Sequence, residues 1–230
     1  MHHTLYIATQ KLRILGIISC VGLFSACDMM GGLYDDTLDG NPESDVPSAE
    51  SKDGQLYLDA RSYTNWIYID LHGEEPVFTV STINPADYSE TGAPEQWDIA
   101  VHHYDVKTNG AAVMMTACRS IEQVESEGMP TEGTWVEDEY SEESVWFDLS
   151  NMLEGYIVYA PGYKNTEAGK WLDVDITYMP PTYTMRDNVM LFRFTDGTYA
   201  AIQLCDYMSA DKYRTKGWIT LNYRYPIFQD

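Results

Sequence analysis

The chain has 230 residues, with 36 acidic against 14 basic side chains and a formal net charge of −22. So acidic a surface repels phosphate backbones and anionic lipid headgroups, which excludes a nucleic-acid role and a polybasic route to a membrane. Four cysteines are too few for a disulfide-dense scaffold.

In chain order, Lys11 and Arg13 precede the apolar run Ile14 to Phe24, ILGIISCVGLF. A membrane-spanning helix needs roughly 20 apolar residues, so this shorter run reads as the hydrophobic region of a signal peptide. It ends in LFSAC, where Ser25 and Ala26 stand before Cys27. That ending resembles a lipobox, with Phe24 where leucine is usual. The resemblance implies cleavage before Cys27 and lipidation of its thiol, so that the lipid is the chain's only contact with a membrane. Loss of residues 1–26, which hold two bases and no acid, takes the net charge to −24. Residues 27–52 are rich in Gly, Pro, Ser and Asp without an apolar period, and are expected to form a flexible acidic tether. Residues 53–230 suit a single domain.

From Gln55 onward short apolar runs follow one another, separated by Gly, Pro, Asn and Asp: QLYLDARS, WIYIDL, EPVFTVST, WDIAVHHYDV, GAAVMMTAC, SVWFDLS, YIVYAP, KWLDVDITY, VMLFRFTDG, TYAAIQLCDYM and GWITLNYRYPI. Their Tyr, Val, Ile, Trp and Thr content predicts strands. TDGTY at 195–199 predicts a hairpin turn. Only RSIEQVESEG at 119–128 reads as a helix, with Ile121 and Val124 on one face and Gly128 as its stop. The expected fold is all-β: an antiparallel, sandwich-like domain with at most one or two short helices. Cys118 and Cys205 fall in apolar runs, and either a disulfide or two buried thiols is compatible with that.

His102 and His103 are adjacent in WDIAVHHYDV. On a strand spanning 97–106 their rings point to opposite faces, so they cannot chelate one ion together. The sequence holds no nucleophile elbow, Walker loop or dinucleotide fingerprint, and the expectation is a non-enzyme. The carboxylate cluster EDEYSEES lacks the spacing of an EF-hand and reads as a solvated face.

Several stretches resemble one family: WDIAVHHYDVKTNG above all, with LYLDARSYTNWIYIDL (56–71), MPTEGTWVEDEY (129–140), the run from Lys170 to Met208, and GWITLNYRYP (217–226). Together they resemble the HmuY family of haem-binding lipoproteins. The resemblance implies an all-β fold, lipid anchoring at the outer membrane facing the exterior, and capture of haem as cargo. It also implies that haem, drawn free or from host haem proteins, passes to a TonB-dependent outer-membrane receptor. Family members hold haem iron through two axial side chains, histidine in some and methionine in others.

No histidine occurs from Ala111 to Asp230, whereas eight methionines do. A bis-histidine site in that region is impossible here, and methionine is the expected metal ligand. Met129, between Gly128 and Pro130, and Met152, in SNMLEG, read as loop-borne; they are the expected axial pair, with Met115 and Met185 in reserve. Tyr140 and Tyr156 are expected to cover the porphyrin, with Trp135, Tyr159 and Tyr163 nearby. Lys164 and Lys170 are candidates for the propionates. The alternative is a glycan-binding surface lipoprotein of a polysaccharide-uptake system, because aromatic platforms on a β-sandwich stack on sugars.

Overall fold

The structure, a computed structural model, describes residues 48–148, 157–177 and 181–228, all within one compact unit that spans residues 39–230. Cys27, Met152, Met179 and Tyr156 lie outside the described residues, as does the expected signal peptide. Among the described residues no helix is long and apolar enough to cross a membrane.

Two antiparallel sheets face each other. The first contains β1 (Ala49–Lys52), β2 (Gln55–Asp59), β8 (Ala112–Met115), β13 (Met190–Arg193), β14 (Tyr199–Met208) and β15 (Lys216–Arg224). They run in the order β1-β2-β15-β14-β13-β8. The second sheet contains β3 (Asn65–Asp70), β4 (Val77–Ile83), β5 (Glu90–Thr91), β6 (Ile99–His102) and β7 (Asp105–Thr108), ordered β5-β4-β3-β6-β7. Residues 49–52, assigned to the tether by composition, pair with Gln55–Leu58, so the ordered domain begins before residue 53.

Alternation along the strands builds the core. Leu56 and Leu58 of β2, Met190 and Phe192 of β13, and Ile219 and Leu221 of β15 meet Ile67 and Ile69 of β3 and Ile99 and Val101 of β6. These side chains are withdrawn from water, which stabilises the sandwich by roughly 1.5–3 kcal/mol for each large one fully buried.

Both outer faces are covered as well. On the six-stranded sheet lies α1 (Ile121–Glu127), which seats Ile121 and Val124 against Met114, Leu191 and Ala201. Ser120 caps its start by accepting from the Gln123 N–H, and Gly128, at φ 76°, ends it. On the five-stranded sheet lies a long ribbon of β9 (Glu139–Asp148) and β10 (Val158–Lys164), whose Val145, Phe147 and Ala160 pack on Trp66, Tyr68 and Ala100. That covering explains why every residue from Trp66 to Ile69 is buried. Between the two layers the chain bridges Val136 to Val113 and then gives the Asp138 carboxylate to the Thr108 N–H and hydroxyl. A second, shorter ribbon pairs β11 (Leu172–Asp175) with β12 (Thr182–Met185).

The expected turn at 195–199 forms between β13 and β14, with Gly197 at φ 89°. Cys118 and Cys205 are both free thiols.

Candidate functional site

The two ribbons are rooted at the same place. After β10, the Asn165 N–H donates to the Val106 carbonyl and its side-chain oxygen caps the Ala168 N–H, starting a 3-10 turn over Ala168–Trp171. The Trp171 indole N–H donates to the Tyr104 carbonyl at 3.0 Å, and the Arg186 N–H returns to the Trp171 carbonyl at 2.9 Å. Thus the β6–β7 turn holds the base of both ribbons. Between the bases is a cleft of about 300 Å³, lined by Tyr104, Asp105, Lys164, Lys170, Val174 and Arg186 among others. That volume is at the lower end for small-molecule sites.

Tyrosines form the apolar side of this region. Tyr104 is edge-on to Tyr183 of β12 at 5.7 Å and to Tyr207 of β14 at 6.5 Å, while Tyr183 and Tyr207 stack at 5.5 Å. Burial, then the neighbouring Tyr183 and Tyr63 phenols, push the Tyr104 hydroxyl well above its ordinary range, so it stays protonated. Lys216 sits over the Tyr183 ring at 4.0 Å.

The adjacent histidines serve the fold beneath this surface. The sequence pattern continues the strand through 106, but the strand stops at His102, and His103 turns the chain at φ 51°. His102 and His103 are both buried. His102 Nε2–H donates to the Tyr63 carbonyl at 2.8 Å. His103 Nδ1–H donates to the Ala60 carbonyl, and its Nε2 accepts from the Tyr63 hydroxyl at 3.1 Å. Each ring therefore pins the loop 60–63 rather than facing a ligand. Burial lowers both imidazoles, His103 to about 3, where a proton on the adjacent His102 would oppose a second charge, so both are neutral. The His102 Nδ1 lone pair is left without a hydrogen-bond partner, 3.9 Å from an Asp105 oxygen.

Of the expected site residues that the structure describes, Met129 and Tyr140 belong to different layers. Met129 follows the helix on the outer side of the six-stranded sheet, where the same segment brings Gly133 against Met114 and Trp135 against that hydrophobic cluster. Tyr140 belongs to the ribbon over the other sheet, and the structure does not bring the two together. Tyr140 is exposed, near the ribbon's root, edge-on to Tyr163 at 5.3 Å. The connection holding Met152 and Tyr156 joins the ribbon's opposite end. Of the reserves, Met115 pairs with Met190 inside the six-stranded sheet, and Met185 is half-exposed at the root of the second ribbon. Lys164 and Lys170, by contrast, line the same cleft. Sequence reasoning missed Tyr104, Tyr183, Tyr207 and Arg186; with 18 tyrosines in the chain, nothing in composition marks these three.

The family model for the HmuY protein matches residues 62–223. The chain belongs to the HmuY family. The matched span of this HmuY-family chain contains both ribbons, the cleft and the loop 62–63 that the histidines hold. Among solved structures, a candidate HmuY-like haem-binding protein of Bacteroides vulgatus is 40% identical, with a TM-score of 0.66, covering 76% of this chain and 92% of that one. A candidate lipoprotein of Bacteroides fragilis is 37% identical at TM-score 0.67, covering 78% and 94%. The apo HmuY analog of Tannerella forsythia, at 20% identity and TM-score 0.54, covers 79% and 97% and shares the fold. No curated protein matches the sequence.

Proposed function

We propose that this HmuY-family chain is a lipid-anchored, outer-membrane haem-binding protein. It captures haem in the tyrosine-bordered cleft between its two ribbons and passes it, without turnover, to a TonB-dependent receptor. The observation that carries the reading is that cleft: a group of cations beside Tyr104, itself edge-on to the stacked Tyr183 and Tyr207, between two β-ribbons, in a family with a haem-binding relative. An apolar macrocycle with acidic substituents needs both.

Methionine is the ligand type that the composition leaves in the region after residue 110. In sequence Met152 falls between the two strands of the first ribbon and Met179 between the two strands of the second. Met129 belongs to the helix layer. Beside the expected pair Met129 and Met152, we therefore propose Met152 with Met179 as the axial pair. Thioether sulfur is soft and neutral, and favours ferrous over ferric iron relative to imidazole.

The test is optical. Haemin added to the purified protein should give a sharpened Soret band, and dithionite-reduced haem should bind more tightly than ferric haem. Met152→Ala and Met179→Ala should each weaken the band, and Met129→Ala should leave it unchanged. If Met129→Ala weakens it, the pair with Met129 stands instead. Clearly tighter ferric binding would argue against thioether ligation. No spectral change in either redox state would remove haem and bring sugar recognition forward.

A further inference from the structure

We infer that the cleft at the ribbon roots is a carboxylate-recognition subsite, in which Arg186, with Lys164 and Lys170, receives the acidic side arms of the captured porphyrin. This rests on the haem reading and adds an orientation to it: the acid groups point to the roots of the ribbons.

Charge distribution is the first argument. Acids outnumber bases by 36 to 14 over the chain, yet at the cleft three cations, Lys164, Lys170 and Arg186, balance three carboxylates, Asp105, Asp173 and Glu167. An acidic protein that must hold a dianionic ligand requires such a local relief of its negative charge, because long-range repulsion otherwise opposes binding.

The second argument is how the cations are held. Asp105 is buried and takes the Lys164 ammonium at 2.9 Å, with the neutral His102 ring behind it. One negative charge is thus already neutralised, and the Lys164 head is fixed at the cleft wall, a quarter exposed. Lys170 is tied to Glu167 at 2.5 Å on the 3-10 turn. Arg186 differs from both. Its backbone is anchored to Trp171, its side chain is exposed, and it has no carboxylate within ion-pair distance among the described residues. A planar guanidinium of this kind suits a bidentate carboxylate contact.

The third argument is scale. The ladder from Leu172–Met185 to Asp175–Thr182 is four residues long, about 10 Å from root to connection. That is about the reach of a porphyrin from its metal to its carboxylates. Val174, the partner of Tyr183 in that ladder, lines the cleft between the two ends.

The experiment compares haemin with haemin dimethyl ester, which keeps iron and macrocycle and lacks the two charges. Soret titrations of the wild-type protein should show haemin binding about tenfold more tightly, the worth of one good charge-assisted contact. Arg186→Gln should remove most of that difference by weakening haemin and leave the ester unchanged. Asp173→Asn should tighten haemin and not the ester, a gain that a folding defect cannot mimic. Equal binding of haemin and ester by the wild type, or equal weakening of both by Arg186→Gln, overturns the subsite and leaves the haem reading intact. Failure of both porphyrins to shift the band overturns the haem reading, and the subsite with it.

Discussion

At the scale of single residues, the adjacent histidines show how much chemistry depends on contacts distant in sequence. A histidine pair in a haem-binding family invites a ligand role. Alternation along a strand put the two rings on opposite faces, but the strand ends at His102 and His103 turns the chain, so both rings reach the same loop, 60–63, about 40 positions upstream. His103 is held as a neutral tautomer: one nitrogen donates to a carbonyl, and the other accepts from Tyr63. Tyr63→Phe should therefore leave a buried acceptor without its donor and destabilise the domain by about 1–3 kcal/mol. Urea denaturation should show a lower midpoint with an unchanged slope. An unchanged midpoint would mean that the Tyr63 hydroxyl contributes nothing to the loop.

At the scale of elements, local signals were readable wherever the chemistry is local. Ser120, Ile121, Val124 and Gly128 mark the helix start, its buried face and its stop, and TDGTY marks the β13–β14 turn. The layer formed by β9 and β10 was not readable as a cover, because each strand's own alternation says nothing about which surface it packs on. One trace of it was present: NWIYID is apolar on both faces, which a strand with one wet face cannot be. The same limit applies to the site. Tyr104, Tyr183 and Tyr207 come from three separate strands or turns, and Met129 looked loop-borne without any sign of which layer its loop joins. Val145→Asp tests the cover. Val145 is buried against Trp66 and Ala160, so an unpaired carboxylate there should cost several kcal/mol unless the ribbon lifts away. Hydrogen exchange should then show lost protection over 139–148 and 158–164, with β13–β15 still protected. Uniform loss across both sheets would show that the ribbon is not a separable unit.

At the scale of the whole molecule, His72 joins the two sheets at the end away from the cleft. It follows β3; its Nδ1–H donates to Asp98, just before β6, at 2.9 Å, and its Nε2–H donates to Asp196 in the β13–β14 turn, also at 2.9 Å. Phe194 and Tyr225 flank the ring, and an Asp70 oxygen lies at 3.7 Å. Only the imidazolium can donate from both nitrogens. Partial burial acts to lower the His72 pKa, but the bonds to Asp98 and Asp196 outweigh it, and the value is raised. Burial raises the Asp98 carboxyl too, so the exposed Asp196, whose pKa is lowered, is the firmer anion of the clasp. Since the folded pKa exceeds the unfolded one, near 6.5, the clasp stabilises fully below about pH 6.5 and is lost as pH rises through the raised value. Loss of the proton leaves Asp70, Asp98 and Asp196 facing a neutral ring. His102 and His103 have the opposite sign: their folded values are lowered, so their contribution is present above about pH 6.5 and is lost as pH falls from there toward 3. Unfolding free energies measured between about pH 5 and pH 8.5 separate the two effects. In His72→Gln the decline above pH 6.5 should flatten while the acid decline persists, because the buried pair is untouched. A variant curve that keeps the wild-type slope above pH 6.5 would show that the alkaline decline arises elsewhere and that the two sheets are joined by their shared core alone.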